Sequence, residues 1–346
     1  MPGRQVISTW FYENTPGDPG TYAQMRGQTS GEGFRDVYRR CLALFFATAR
    51  RAQPAADLVL FTNQPLGERT DIERHLKLLL GQLDVRTIVI PYTYAPPMDW
   101  PAAWRNQFYV LDVINALSAS PDDTFVVLDS DIVWTGETRT GELWRRLEES
   151  GSLTYAIDYP PDFDINGLTR TALTGVASSM GLTLQDDLPL TYCGGEFVAL
   201  RGDVGQRVSS TARSAWAMAL ELHAAGKATF SEEAHLLSYV YAALGLPPGS
   251  ANDLIRRIWT SSLTYRDSTP ADLGLALWHV PAEKRFGLRR LYRQLRTTGI
   301  DAFLSQSQDV FVAQTAAALG IGANSLWKGS LDLSYSAWGR LRSKVS

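Results

Sequence analysis

Apolar positions in the first third of the chain follow two alternating patterns. Unbroken runs rich in β-branched and aromatic residues predict strands in "RQVISTWFYE" (4–13), "ADLVLFTNQP" (56–65), "VRTIVIPY" (85–92) and "DTFVVLDSD" (123–131). Between them, "FRDVYRRCLALFFATARRA" (34–52), "DIERHLKLLLGQL" (71–83) and "WRNQFYVLDVINALSA" (104–119) repeat apolar residues at helical spacing. Strands alternate with helices and are apolar throughout, not at every second residue. That is the pattern of a mostly parallel α/β sheet with helices on both faces. Such sheets bind ligands beyond the carboxyl ends of their strands.

The second half is less regular. "LTYAIDY" (153–159), "GGEFVALR" (194–201) and "LALWHV" (275–280) read as strands, and residues 208–226 and 231–245 as helices. From 288 the chain turns helical and basic, beginning "LRRLYRQLRTTGI". There is no repeat and no low-complexity segment. One main domain to about 287 and a helical extension over 288–346 are expected.

Composition narrows the class without naming it. A chain of 346 residues with 45% hydrophobic and 20% charged residues can bury a full core. A net charge of −3 gives no reason to expect nucleic acid as a partner. Cys41 and Cys193, the two cysteines, predict no disulfide framework. No apolar run reaches membrane-spanning length, and "MPGRQVISTW" lacks a signal peptide's apolar core, so a cytoplasmic location is expected.

The chemistry centres on "TFVVLDSDIVWTG" (124–136), where a buried run delivers Asp129 and Asp131 to its end. Carboxylates two residues apart on an extended segment point to one side, and they repel unless something positive lies between them. The spacing asks for a cation. Three readings follow. The pair could be solvated or capping carboxylates. "LDSDIV" also fits the haloacid-dehalogenase phosphatase signature, with Asp129 as nucleophile and magnesium on both. The third reading is the D-x-D of GT-A glycosyltransferases, which holds a divalent cation against the diphosphate of a nucleotide sugar. The motif follows three βα units, Lys residues are few, and no later strand ends in an acidic pair (Gly202-Asp203 is too weak). These features favour the third reading, with the phosphatase and a non-catalytic sugar-nucleotide binder as alternatives.

Over residues 4 to 287 the chain resembles GT-A glycosyltransferases, glycogenin-like D-x-D enzymes among them. The likeness rests on "FVVLDSD", "TYCGGEFVAL" (191–200), "FSEEAHLLSYV" (230–240) and "LWHVPAEKRFG" (277–287), in that order and at that separation. It implies a Rossmann-like GT-A fold with a nucleotide-binding half to about 135 and an acceptor-binding half over 136–287. It also implies transfer of a sugar from a nucleoside diphosphate sugar, a UDP-sugar for preference, to an acceptor hydroxyl of unspecified identity. The nucleotidylyltransferase variant is disfavoured, because "ISTWFYENTPGD" lacks the Gly-rich, Arg-containing loop.

By this resemblance Asp129, Asp131 and His279 hold the metal. Hard oxygen donors suit Mg²⁺ or Mn²⁺, and the imidazole tilts the choice to Mn²⁺. Ser130, Gly194 and Gly195 would lie against the nucleotide sugar. Thr9, Tyr12 and Asn63 fit the base and ribose region by position. Arg105 stands where relatives carry Lys, and with Lys284 and Arg285 it is a candidate diphosphate clamp. Glu233 (Gln in several relatives), Glu196 and Glu232 are the candidate catalytic carboxylates. Asp158 is a candidate for acceptor hydroxyls. Trp134 reads as core, and His75, His223 and His235 as structural.

At the end of the chain, Leu288, Leu291 and Leu295 form a stripe among arginines, with Trp327 and Trp338 further on. A basic helix with tryptophans suits an anionic membrane. The stripe is narrow and regular, so packing against the main domain is favoured over membrane contact.

Overall fold

Strands β1 (Gln5–Phe11), β2 (Asp57–Thr62), β3 (Val85–Val89) and β4 (Thr124–Leu128) pair in parallel. Helices α1 (Glu32–Ala52), α2 (Asp71–Gln82) and α3 (Tyr109–Leu117) connect them, the last entered through a 3₁₀ turn at Arg105–Phe108. The computed structural model describes residues 3–14, 20, 31–101, 103–184, 188–261, 264–323, 328–330 and 332–333. Next come β5 (Ile132–Trp134), α4 (Glu137–Ser150), β6 (Ser152–Ala156), α5 (Arg170–Ser179), β7 (Cys193–Arg201), α6 (Gly202–Ala224) and α7 (Glu233–Ala243). β8 (Ile255–Arg257), β9 (Leu277–His279), α8 (Gly287–Thr298), α9 (Ile300–Leu304) and α10 (Gln308–Leu319) complete the order.

The main sheet runs β3-β2-β1-β4-β7-β6, with β7 antiparallel to both its neighbours. It is a mixed α/β fold with a mostly parallel central sheet, as the sequence pattern requires. Alternate strand residues feed two cores. Ile7, Leu58, Leu60, Val126 and Phe197 pack under α1, α2 and α4. Val6, Val59, Phe61, Val127 and Val198 pack under α3, α5, α6 and α7. Two buried faces explain why the strands read as continuous apolar runs.

A second sheet, β5-β9-β8, departs from the main one directly after β4. Its register sets Ile132 opposite His279, and His279 beside Arg257. This small sheet therefore carries the chain from the carboxylates at the end of β4 to the distant histidine.

Helix α8 buries Leu288, Leu291 and Leu295 in the same core as α1, each side chain contributing about 1.5–3 kcal/mol. Trp327 and Trp338 lie outside the described residues. Among the described residues, no helix is long and apolar enough to cross a membrane.

Candidate active site

β4 ends at Leu128, and Asp129-Ser130-Asp131 turns the chain into β5, with Ile132 N–H donating back to Asp129 O at 3.1 Å. The Asp129 N–H donates to Glu196 O on β7, which fixes the first carboxylate against the antiparallel strand. Val280 N–H donates to Asp131 O, so the end of β9 closes on the second. One ligand atom each from Asp129, Asp131 and His279 lie within 4.8 Å of one another. His279 Nε2 sits 3.3 Å from Asp131 Oδ2 and 3.8 Å from Asp129 Oδ2. This nitrogen is buried and makes no well-formed hydrogen bond among the described residues. A buried nitrogen aimed between two carboxylates is a donor set that fits a divalent cation.

The histidine is held from behind. Its Nδ1 lies 3.1 Å from Glu196 Oε1, and Arg257 donates to both Glu196 oxygens at 2.8 and 2.7 Å. Tyr159 OH accepts from Arg257 Nη1. A carboxylate behind a ligating imidazole fixes its ring and tautomer. Burial pushes the Glu196 carboxyl up, but Arg257 and His279 outweigh it and hold it well below the usual range.

Lys284 Nζ donates to Asp131 Oδ2 at 2.5 Å. Burial works against the Asp131 carboxylate, yet Lys284 and His279 together keep it ionised well below its ordinary value. Asp129 is less well compensated, with His279 Nε2 at 3.8 Å as its cationic neighbour among the described residues. Burial and the charge of Asp131 push it up to about 6. The imidazole, disfavoured as a cation by burial, is raised to about 9 by Asp131 and Glu196. His279 and Lys284 face the carboxylate pair with the positive charge that it requires.

Two further glutamates open α7. Glu232 accepts from Tyr192 OH at 2.8 Å and from Asn166 Nδ2 at 2.5 Å. Burial raises its carboxyl to about 7. Glu233 is buried, its Oε2 has no hydrogen-bond partner among the described residues, and burial followed by the charges of Glu232 and Asp129 raises it well above the carboxylate range. The adjacent glycines are spatial requirements. A Cβ on Gly194 would collide with the Glu196 carboxylate, and one on Gly195 with Glu233.

Beside Asp129, Ser130, Asp131 and Lys284 opens a pocket walled by Trp10, Tyr12, Phe34, Tyr38 and Trp104. Trp104 has φ +65°, a left-handed conformation uncommon for a tryptophan and of the strained kind found at ligand sites.

The structure thus brings together Asp129, Ser130, Asp131, His279, Lys284 and Glu196, with Gly194, Gly195, Glu233 and Glu232 adjoining. Tyr12 is on the pocket wall. Thr9 is buried within β1. Asn63 is tied to the Glu13 backbone in both directions. The Arg105 guanidinium donates to the carbonyls of Pro96 and Pro97, which commits it to that turn. Arg285 is exposed, and the Asp158 side chain is fully exposed, two residues beyond β6. Trp134 is fully buried. Arg257 and the Tyr159–Tyr192–Asn166 group carry no recognisable motif in the sequence. Only an arginine pair flanked by apolar residues in "LIRRIW" marks the first.

No family model matches the chain, and no curated protein matches it. Among solved structures it is similar to the bifunctional glycosyltransferase WbbM, at TM-score 0.45 and 10% identity. That match covers 80% of this chain and 45% of the other, so this chain spans less than half of that protein's length. It is also similar to mouse xyloside xylosyltransferase 1, at TM-score 0.45 and 11% identity, covering 80% and 98% of the two chains.

Proposed function

We propose that this chain is a metal-dependent glycosyltransferase of GT-A type, moving a sugar from a nucleoside diphosphate sugar to an acceptor hydroxyl. The observation that carries this reading is the Asp129–Asp131–His279 group at the carboxyl edge of the parallel strands, beneath an aromatic-walled pocket. Mn²⁺ suits its two oxygens and one nitrogen, and Mg²⁺ is the alternative. When bound, the ion would neutralise charge developing on the departing diphosphate.

The chain's own residues supply the rest. Lys284, which holds Asp131, would be a second cation for the diphosphate. The aromatic pocket offers ring faces to a nucleobase. Glu196 is fully engaged by Arg257 and His279, so its part is to orient the imidazole. Glu233, with one buried oxygen lacking a partner, is the carboxyl free to meet a sugar or acceptor hydroxyl. Glu232, held by Tyr192 and Asn166, sets its electrostatic environment.

No observation favours the phosphatase alternative. Lys284 pairs with Asp131 instead of Asp129, and the third donor is an imidazole. Thermal-shift screening of UDP-sugars and other nucleotide sugars, with and without Mn²⁺, tests the reading. Stabilisation should require both components together.

A further inference from the structure

Glu283 lies four residues beyond His279 and one before Lys284, in a 3₁₀ turn at Pro281–Glu283. It is completely buried, and its carboxylate meets Thr260, Lys328 and the start of α8. Oε1 accepts from Thr260 Oγ1 at 2.5 Å and from Lys328 Nζ at 2.8 Å. Oε2 accepts from the Gly287 backbone at the start of α8. Lys328 is itself completely buried, and its Nζ also donates to Asp332 at 2.6 Å. Asp332 in turn accepts from Arg290 on α8.

The local sequence is shaped around this contact. A Cβ on Gly287 would lie 2.6 Å from Glu283 Oε2 and 2.7 Å from Ala318 O. A Cβ on Gly320 would lie 2.5 Å from Lys328 Cδ, and Gly320 has φ +75°. Two glycines thus leave room for a lysine stem and a carboxylate to meet inside the protein.

We infer that Lys328 is a positioning residue for the metal and diphosphate site, acting through Glu283 on the segment that carries His279 and Lys284. The inference rests on the functional reading above. A lone buried carboxylate would swell or rearrange its surroundings, and a paired one pins them. Here the pinned segment joins a metal donor to the ammonium on Asp131. The chain near 328, far from the site in sequence, is therefore part of its framework.

The test is Mn²⁺ affinity, followed by electron paramagnetic resonance on the full-length protein. Lys328→Met should weaken Mn²⁺ binding about tenfold or more, the range seen when support behind a ligand is lost. Lys328→Arg, which keeps the charge, should recover part of that loss. Glu283→Gln combined with Lys328→Met leaves no charge unpaired at this contact, so it stays informative if the single variant fails to fold. It should bind Mn²⁺ as weakly. Phe311→Leu loosens the same layer without touching the network and should leave Mn²⁺ affinity unchanged. Wild-type affinity in the folded double variant overturns the inference. Wild-type protein that binds no Mn²⁺ overturns the functional reading beneath it.

Discussion

His279 is gripped between two carboxylate environments: its Nδ1 lies 3.1 Å from Glu196, and its Nε2 faces Asp131 at 3.3 Å. The ring can turn away from neither without stranding a buried charge. Glu196→Gln should therefore act twice. It leaves the Arg257 guanidinium without its counter-charge, a destabilisation of about 3 kcal/mol for a buried pair. It also frees the imidazole and should lower metal affinity about tenfold. Denaturant titration and Mn²⁺ titration of the same variant separate the two. Unchanged metal affinity would show that Glu196 does not orient the ligand.

The glutamate pair opening α7 makes a prediction about pH. Burial raises Glu232 to about 7, and burial with the charges of Glu232 and Asp129 raises Glu233 well above the ordinary value of 4.5 that both have in the unfolded chain. The folded state then binds protons more tightly than the unfolded one. Their contribution to stability is full below about pH 4.5 and is lost as pH rises through about 7. Glu232→Gln should flatten that part of the pH dependence. Urea midpoints at about pH 5 and about pH 8 measure it, and identical slopes in wild type and variant would contradict the assignment.

The α8 stripe predicts a purely structural effect. Leu295→Ala should cost about 2–5 kcal/mol, because the residue is 1% exposed in the core shared with α1. With that stripe buried, the protein should stay in the supernatant when sedimented with anionic liposomes. A surface-like loss below about 0.5 kcal/mol, or strong co-sedimentation, would reverse this assignment.

Residues that lie close together in sequence were the ones the sequence could reveal. Val126, Val127 and Leu128 announce a strand buried on both faces, and Asp129 and Asp131 announce a cation at its end. The first three βα units, the β7 strand and the α8 stripe carry enough periodic residues to be read directly. β5 and β8 have three residues each, too few to show any period, so the second sheet was invisible. With it went Arg257, which meets Glu196 across 61 positions of chain. Helix 104–119 opens as a 3₁₀ turn because Trp104 enters it from a left-handed conformation. Lys328 looked like one basic residue in a polar tail, since nothing local marks a lysine that is completely buried.

Calorimetric titration of UDP, with and without Mn²⁺, into wild-type protein and Asp131→Ala tests the central claim most directly. Asp131 is the carboxylate that Lys284 and His279 keep ionised, and its loss removes one of three donors. Wild-type protein should bind UDP only when Mn²⁺ is present, and the variant should lose that Mn²⁺-dependent binding. Equal affinity in the two proteins, or wild-type binding indifferent to Mn²⁺, would contradict a metal site at Asp129, Asp131 and His279.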